Sequence, residues 1–302
     1  MGKPSDTLLA EARENGQAAT TRVLVVLHIY YEQFADYYLS KLKNINGCEW
    51  DLIVTGHDLS PMMHEKVLAV KPDAVFLQTP NVGYDVWPFI CAVKQTDLDK
   101  YSFVIKLHTK NQDKNVTVRL NGIYYDGEKW RYELVDSLIG SASRFRKVES
   151  IFASNPKAGI AYPISLDVER GTVLREDTVD LEKEMARLGF KAKSDTFCAG
   201  TMFAARADAL RYLQKENISE DLFQGSSPCH GGGSMAHVYE RLLCMAVVSQ
   251  GYEAVLLKNR LIRRIYPKLR NVGEWIFSLD RKGPLCEKYL TLFGHDFRLS
   301  GK

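Results

Sequence analysis

The chain has 302 residues, of which 45% are hydrophobic, 25% charged and 11% aromatic, and its 40 Lys and Arg against 37 Asp and Glu give a formal net charge of +3. This composition is typical of a globular protein with a sizeable core, and it excludes a disordered chain, a collagen-like repeat and a small disulfide scaffold. The near-neutral charge also argues against a dedicated nucleic-acid binder, which usually carries a strong basic excess.

Cysteine usage and hydropathy indicate a cytoplasmic protein. The cysteines are dispersed without a CxxC pair, so neither a zinc framework nor a redox motif is indicated. Cys91, Cys198 and Cys244 lie in apolar stretches and are expected to be buried, reduced thiols. No apolar run reaches the roughly 18 residues that a spanning helix needs. The polar residues 1–21 are expected to form a flexible segment rather than a signal peptide.

The N-terminal half alternates apolar strands with helices. Strands are predicted at 22–31, 50–57, 74–79 and 101–108. Helical spacing lies between them, at 34–42, 62–70 and about 88–96. Continuous Val and Leu runs such as the first strand are typical of strands buried on both faces. The alternation predicts a mostly parallel, Rossmann-type α/β sheet flanked by helices.

The C-terminal half is more mixed. The predicted elements are a helix at 130–145, a strand at 157–164, a charged surface insertion at 167–193, a strand at 197–206, a flexible loop at 226–234, a helix at 237–251 and a strand at 252–257. Within the insertion, Leu181, Met185 and Leu188 share one face of a possible helix. The expected organisation is a flexible segment at 1–21, one α/β domain at 22–257 and a basic, helical extension at 258–302.

The sequence NVGYDVWP at 81–88 is the first candidate site. It follows a predicted strand, and open α/β sheets bind ligands beyond the carboxyl ends of their strands. Gly83 permits a tight turn, and Asp85 can accept hydrogen bonds from a ribose or a base. The alternative interpretation is a simple helix cap, in which Asp85 bonds its own backbone.

Two further groups of side chains can carry chemistry. Lys106, His108 and Lys110 fall on one face at the end of a strand and could neutralise a diphosphate leaving group, or they are solvated strand-end charges. On the helix at 237–251, Glu240 lies one turn after His237 and can act as a general base. The alternative for this helix is a solvated surface that carries Glu240 and Arg241, with His237 as a residue of the cap region.

Several ordered motifs resemble the rhamnan synthesis protein F family of bacterial glycosyltransferases over roughly residues 22–257. The matching segments are NVGYDVWPF at 81–89, YSFVIKLHTK at 101–110, WR at 130–131, FCAGTMFAAR at 197–206 and AHVYERLL at 236–243. The resemblance implies sugar transfer from a nucleotide-diphosphate sugar, often dTDP-L-rhamnose, during surface polysaccharide assembly. The family commonly carries Arg within its NxGRD turn, where this chain has Tyr84.

The chain is also similar to GT-A glycosyltransferases, which usually bind a divalent metal through a DxD motif at a strand end. His108-Thr109-Lys110 stands at that place in the chain order, so the resemblance implies metal-independent transfer in which fixed cations replace the ion. No metal or other cofactor is therefore expected, only the nucleotide sugar as co-substrate. Donor binding is assigned to the set Asn81, Gly83, Asp85, Lys106, His108, Lys110 and Arg131.

The similarity to GT-A enzymes also implies the catalytic and acceptor-side residues. Many of them carry an acidic base about 11 residues before a Gly-aromatic pair, and Glu240 precedes Gly251-Tyr252 by 11 residues. Glu240 then corresponds to the base that deprotonates the acceptor, with His237 beside it, and in-line displacement gives inversion at the anomeric carbon. Gly200 and Thr201 correspond to the segment on the acceptor side, which is expected to receive a glycan or a lipid-linked oligosaccharide.

The sequence KNRLIRRIYPKLR at 258–270 carries six basic residues and no acidic one. With the apolar residues that follow, the segment 258–277 is interpreted either as a peripheral attachment to the anionic inner face of the membrane or as the solvated face of a docked helix. For the whole chain, the alternative to a glycosyltransferase is a non-catalytic nucleotide- or carbohydrate-binding module. A nucleotide-dependent oxidoreductase is disfavoured because the first strand lacks the GxGxxG motif of dinucleotide-binding folds.

Overall fold

The structure of the protein is a computed structural model. It describes residues 21–110, 118–121, 123–170, 176–224, 234–257, 277–282, 287–293 and 295–298. The predicted flexible segment (up to residue 20), most of the predicted loop (225–233) and most of the proposed membrane segment (258–276) lie outside these residues.

The described chain contains the following strands and helices. The strands are β1 Arg22–His28, β2 Glu49–Gly56, β3 Val75–Gln78, β4 Phe103–His108, β5 Val118–Leu120, β6 Ile123–Tyr125, β7 Ala158–Pro163, β8 Asp167–Glu169, β9 Thr196–Cys198, β10 Phe203–Arg206, β11 Glu253–Leu257, β12 Phe277–Lys282, β13 Glu287–Leu292 and β14 His295–Arg298. The α-helices are α1 Ala35–Leu42, α2 Pro61–Val70, α3 Val86–Lys94, α4 Gly127–Ile139, α5 Ala142–Ser154, α6 Glu176–Arg187 and α7 Met235–Ser249.

A seven-stranded sheet in the order β3-β2-β1-β4-β10-β7-β11 forms the centre of the fold. Its neighbouring strands pair in parallel except at β10, which runs antiparallel to both β4 and β7. The predicted mostly parallel sheet flanked by helices is therefore confirmed. Because parallel strands end at one edge, residues after β1, β3 and β4 meet there, and antiparallel β10 starts at that same edge.

Burial explains why the first strand could be predicted from its sequence. Val23, Val25 and Leu27 are at most 1% exposed, and so are the alternate residues Leu24 and Val26. A strand covered by helices on both faces needs apolar residues at consecutive positions rather than at every second one.

The predicted helix at 130–145 is wrong as a single element, because the chain forms two helices there. α4 begins earlier, where the Asp126 side chain accepts a hydrogen bond from the Lys129 amide at 2.7 Å. It ends at Gly140, and Ser141 caps the next helix by accepting from the Arg144 amide at 3.2 Å. The Gly140-Ser141 pair combines a helix stop with a helix start, a signal that periodicity alone does not show.

The predicted strand at 197–206 is also divided. β9 pairs with β8 in a small antiparallel sheet, whereas β10 joins the central sheet. Between them the backbone takes positive φ angles at two successive residues, 90° at Gly200 and 47° at Thr201. Nearby, the predicted helix of the surface insertion is confirmed by α6, which buries Leu181 and Met185, and Leu188 is buried in the turn that follows it.

The C-terminal extension was predicted to be helical, and this is wrong for its described residues. β12, β13 and β14 form a three-stranded antiparallel sheet. The sequence Phe277-Ser-Leu-Asp280 alternates apolar and polar residues, which is the period of a strand and not of a helix. None of the helices in the described ranges is long and apolar enough to cross a bilayer.

Two of the three cysteines that were predicted to be buried are buried. Cys198 and Cys244 are enclosed in the core, whereas Cys91 is half-buried on α3. Burial raises the pKa of the Cys244 thiol to about 12. The Cys244 sulfur accepts a hydrogen bond from the Cys198 amide at 3.3 Å, so these side chains contribute to packing between α7 and β9.

Candidate active site

A cavity of about 640 Å³ opens at the sheet edge where β1 and β4 end and β10 begins. The turn before α3, the start of α7 and the region from β5 to α4 complete its walls. The predicted site residues that line it are Asn81, Asp85, His108, Lys110, Gly200, Thr201, His237 and Glu240. Gly83, Lys106 and Arg131 lie outside its lining.

Glu240 occupies the second turn of α7 and faces the cavity. Its Oε1 atom accepts a hydrogen bond from the Gly200 amide at 2.8 Å. One turn earlier, His237 Nδ1 lies 2.7 Å from the Ser234 hydroxyl, and its ring meets Tyr84 edge to face at 5.7 Å. Glu240 is thus a carboxylate held by a backbone amide on the wall of a cavity, which is a suitable geometry for a general base.

Lys110 supplies a cation to the same cavity. Its amide donates to the Tyr38 hydroxyl at 3.2 Å, and its Nζ lies 3.9 Å from the centre of the Trp130 ring. Burial lowers the pKa of Lys110, whereas the negative charges of Glu240 and Asp85 act in the opposite direction and favour the ammonium form. Lys110 therefore combines a positive charge, an aromatic support and a carboxylate that shares its cavity.

Lys106 lies beneath the cavity and is 1% exposed. Its Nζ contacts Asp85 Oδ2 and donates to the Thr201 carbonyl at 3.0 Å and to the Thr201 hydroxyl at 2.9 Å. The Thr201 hydroxyl in turn donates to Asp85 Oδ2 at 2.6 Å. Burial alone would raise the pKa of Asp85, but the neighbouring His108 and Lys106 and the hydrogen bonds from Lys106 and Thr201 outweigh it and hold this pKa well below its usual range.

Two buried imidazoles stand side by side at the ends of β1 and β4. His28 Nδ1 lies 3.1 Å from the Thr55 hydroxyl, and His108 Nδ1 lies 3.3 Å from Asp85 Oδ2. Burial lowers the pKa of His28 to about 4 and that of His108 well below its ordinary value. Both rings are therefore neutral at pH 7 and can donate or accept hydrogen bonds inside the cavity.

The remaining predicted donor-binding residues take different positions. Arg131 is 4% exposed and stacks its guanidinium on Tyr37 and Tyr132, at 4.1 and 4.6 Å from the ring centres. Gly83 has φ of 68°, and a Cβ there would lie 2.7 Å from Trp87 Cβ, so glycine is required for the turn itself. Their assignment to donor binding stays a prediction, and no contact with the cavity supports it.

Several cavity residues were not predicted from the sequence. His28 closes the first strand, and a polar residue ending an apolar run at the ligand edge is the signal that could have found it. Thr109 fixes the turn after β1, since its hydroxyl accepts from the amides of Tyr30 and Tyr31, each at 2.9 Å. Trp130, known only as part of the WR motif, lines the cavity beside Lys110.

The described residues do not fit a divalent metal site. Across the parts of the chain that the structure describes, no three His, Cys, Asp or Glu side chains are grouped so as to hold a metal ion. Asp85 Oδ2 lies 3.3 Å from His108 Nδ1, but it already binds Lys106 and Thr201. Metal independence itself stays a prediction.

The sequence profile of the family described as rhamnan synthesis protein F matches residues 5–252. The chain belongs to this family. It is also 26% identical over 242 residues to the uncharacterized protein WxcX of Xanthomonas campestris pv. campestris. That match covers 78% of this chain and 33% of WxcX, so the chain spans about a third of the length of the relative.

Among solved structures, the fold is similar to residues 1–349 of S. aureus TarS, with a TM-score of 0.43, 10% identity, and 79% of this chain and 59% of the other covered. A mannosyltransferase from Pyrobaculum calidifontis, solved with GDP-Man and Mn²⁺, gives a TM-score of 0.39, 12% identity, and coverages of 89% and 68%.

Proposed function

We propose that this member of the rhamnan synthesis protein F family is a glycosyltransferase that uses a nucleotide-diphosphate sugar. The observation that carries the proposal is the pairing, in one cavity, of a carboxylate with a cation at a sheet edge: Glu240 on α7 and Lys110 after β4. A carboxylate can take the proton of an incoming hydroxyl, and a cation can neutralise a departing diphosphate. Family membership supports the same reaction.

The proposed reaction is a single displacement. Glu240 accepts the proton of an acceptor hydroxyl while the hydroxyl oxygen forms a bond to the anomeric carbon of the donor. The bond from that carbon to the diphosphate oxygen breaks, and its electron pair leaves with the nucleoside diphosphate. Because the acceptor attacks from the face opposite the leaving group, the configuration at the anomeric carbon is inverted.

Lys110 is the proposed counter-charge for the departing diphosphate, and no divalent ion is required. A fixed ammonium in a partly dehydrated cavity interacts more strongly with a phosphate than the same group in water. The neutral rings of His28 and His108 add hydrogen-bonding capacity without adding charge. Lys106 contributes less to the diphosphate than its sequence position suggested, because its charge is matched by Asp85.

The family description leads us to propose a deoxysugar donor, with dTDP-L-rhamnose as the first candidate, and a glycan or lipid-linked acceptor in bacterial surface polysaccharide synthesis. The exposed Tyr84, which stands where the family commonly has Arg, lies at the cavity rim beside His237. An aromatic ring at the rim favours stacking on a sugar or a base over an ion pair. Tyr84 is therefore the residue at which we expect this chain to differ from its relatives in substrate preference.

A screen of nucleotide sugars tests the proposal directly. The melting temperature is measured with dTDP-L-rhamnose, UDP-glucose and GDP-mannose in the presence of EDTA, and each stabilising donor is then assayed for transfer. A ligand at 100 times its Kd stabilises the folded state by about 2.7 kcal/mol. Stabilisation with transfer supports the enzyme, stabilisation without transfer to any acceptor supports a binding module, and a strict Mg²⁺ or Mn²⁺ requirement contradicts the role of Lys110.

The basic segment 258–277 is proposed to hold the enzyme at the anionic inner face of the membrane, near a lipid-linked acceptor. The proposal rests on its sequence, in which basic and apolar residues are interleaved, and each basic residue near an anionic surface contributes about 1 kcal/mol. Sedimentation with vesicles containing 30% phosphatidylglycerol should retain the chain. Retention that is unchanged after the six basic residues become Gln would remove this proposal.

A further inference from the structure

We propose that Lys106 and Asp85 are positioning residues that fix the Gly200 amide against Glu240, and that they do not act by binding the donor phosphates. The inference rests on the proposed function for its catalytic consequence, because Glu240 matters as a base only if the chain transfers a sugar. It assigns to two predicted donor ligands a different task at the same site.

The hydrogen-bonding capacity of Lys106 is fully used inside the protein. A lysine ammonium has three protons. Its three partners are Asp85 Oδ2, the Thr201 carbonyl and the Thr201 hydroxyl. With Lys106 1% exposed and absent from the cavity lining, no proton remains for a phosphate oxygen.

The network binds the last residue of a turn over 198–201, which is closed by a hydrogen bond from the Thr201 amide to the Cys198 carbonyl at 3.1 Å. Thr201 has φ of 47°, in the left-handed region that β-branched residues rarely adopt, and Gly200 precedes it with φ of 90°. Such backbone conformations persist only where the surroundings determine them. Lys106 binds both the carbonyl and the hydroxyl of Thr201, and Asp85 binds the same hydroxyl, so the network fixes both backbone and side chain.

The turn connects this network to Glu240, the proposed base. Gly200 is bonded directly to Thr201 in the chain, and its amide donates to Glu240 Oε1 at 2.8 Å. A Cβ on Gly200 would lie 2.8 Å from both Leu134 Cδ1 and Trp130 Nε1, so the turn packs closely against α4, and Trp130 Nε1 donates to the Ala199 carbonyl at 3.2 Å. The position of the Glu240 carboxylate thus depends on a turn that is held from below by an ion pair and from the side by α4.

The primary experiment compares Thr201→Val with Thr201→Ser in the full chain. Valine keeps the branched shape but removes the hydroxyl that joins Lys106 to Asp85, whereas serine retains it. Hydrogen exchange of the Gly200 amide is measured together with kcat and the affinity for dTDP. We expect Thr201→Val to speed exchange by ~10-fold and to lower kcat by ~10- to 100-fold, since small displacements of a catalytic group are costly. Thr201→Ser should restore most of both, and dTDP affinity should change less than about twofold in either variant.

A second variant, Lys106→Met, tests the charge, with the exposed Lys183→Met on α6 as the matched control. Faster Gly200 exchange with unchanged dTDP affinity supports the positioning role. If Gly200 amide exchange is unchanged in a variant with native circular dichroism, the positioning role is wrong. A loss of dTDP affinity of ~10-fold or more without a change in exchange also contradicts it, because that result identifies Lys106 as a direct phosphate ligand. Should Lys106→Met not fold, the threonine pair decides alone. If the wild type transfers no sugar but its Gly200 exchange depends on Thr201, the proposed function fails and the positioning network stands.

Discussion

Glu240→Gln is the substitution that separates catalysis from structure most cleanly at this site. Glutamine has the shape of glutamate, and its amide oxygen can still accept the hydrogen bond that Gly200 donates to Glu240 at 2.8 Å. The bond changes from charge-assisted to neutral, so the free energy of unfolding should fall by only about 1 kcal/mol. The amide cannot accept a proton, however, and loss of a general base typically lowers the rate by about 10²- to 10⁴-fold, or about 3 to 5 kcal/mol in the activation barrier.

The assay follows transfer of radiolabelled sugar under saturating donor, with donor Kd measured separately by calorimetry. The exposed Glu253→Gln at the start of β11 is the control for removing a carboxylate. We expect kcat to collapse in the first variant alone while donor Kd stays within about threefold, since a base that touches the acceptor contributes little to donor binding. A Glu240→Gln enzyme that keeps more than about a tenth of wild-type kcat would refute the assignment of the base.

Further predictions concern the cation, the histidine and the glycine turn. Lys110→Ala should weaken nucleoside diphosphate binding by at least ~10-fold in calorimetry with EDTA present, and Lys110→Arg should restore part of it, because charge and not a metal is the expected counter-ion. The unfolding free energy, measured in urea, should decrease as the pH falls from about 6.5 to 4, because burial lowers the pKa of His28 to about 4 and the unfolded chain then binds the proton more tightly. For His28 this difference corresponds to about 3 kcal/mol. His28→Asn should make the profile less steep, and the buried His108, whose pKa is also lowered, accounts for the slope that remains. An equally steep profile in that variant would locate the titration elsewhere. Gly200→Ala should destabilise the protein more than Gly189→Ala: both residues have positive φ, 90° and 86°, but a Cβ has open space only at 189. Equal melting temperatures in the two variants would contradict the close packing at 200.

Much of the fold could be predicted because the buried strands carry an unambiguous pattern. Five consecutive apolar residues in β1 are consistent with a strand covered on both faces, and the helices between the strands show their own period. The predicted elements that were wrong lie where the structure depends on the conformation of one or two residues. Neither the cap at Ser141 nor the kink at Gly200-Thr201 alters hydrophobic periodicity, so one helix and one strand were predicted where there are two of each.

The location of the candidate site was predicted, but the contacts among its side chains were not. The sequence predicted Asp85 and Lys106 near one sheet edge, since they follow or end strands of the parallel core, and the resemblance to GT-A enzymes added Glu240. It could not show that Lys106 is enclosed and bound to Asp85, because burial and pairing depend on contacts between segments 21 residues apart along the chain. The stacking of Arg131 on Tyr37 is likewise a tertiary contact, which the local sequence does not show.

The reversed direction of β10 has a consequence for how such a scaffold can diversify. Its neighbours deliver residues to the cavity as they leave the sheet, whereas β10 delivers Gly200 and Thr201 as it enters. The segment that contains β8, α6 and β9 leads directly to this edge of the sheet, and none of these three elements pairs with the seven central strands. For the proposed transferase, we expect exchange of residues 167–202 between relatives to change acceptor preference.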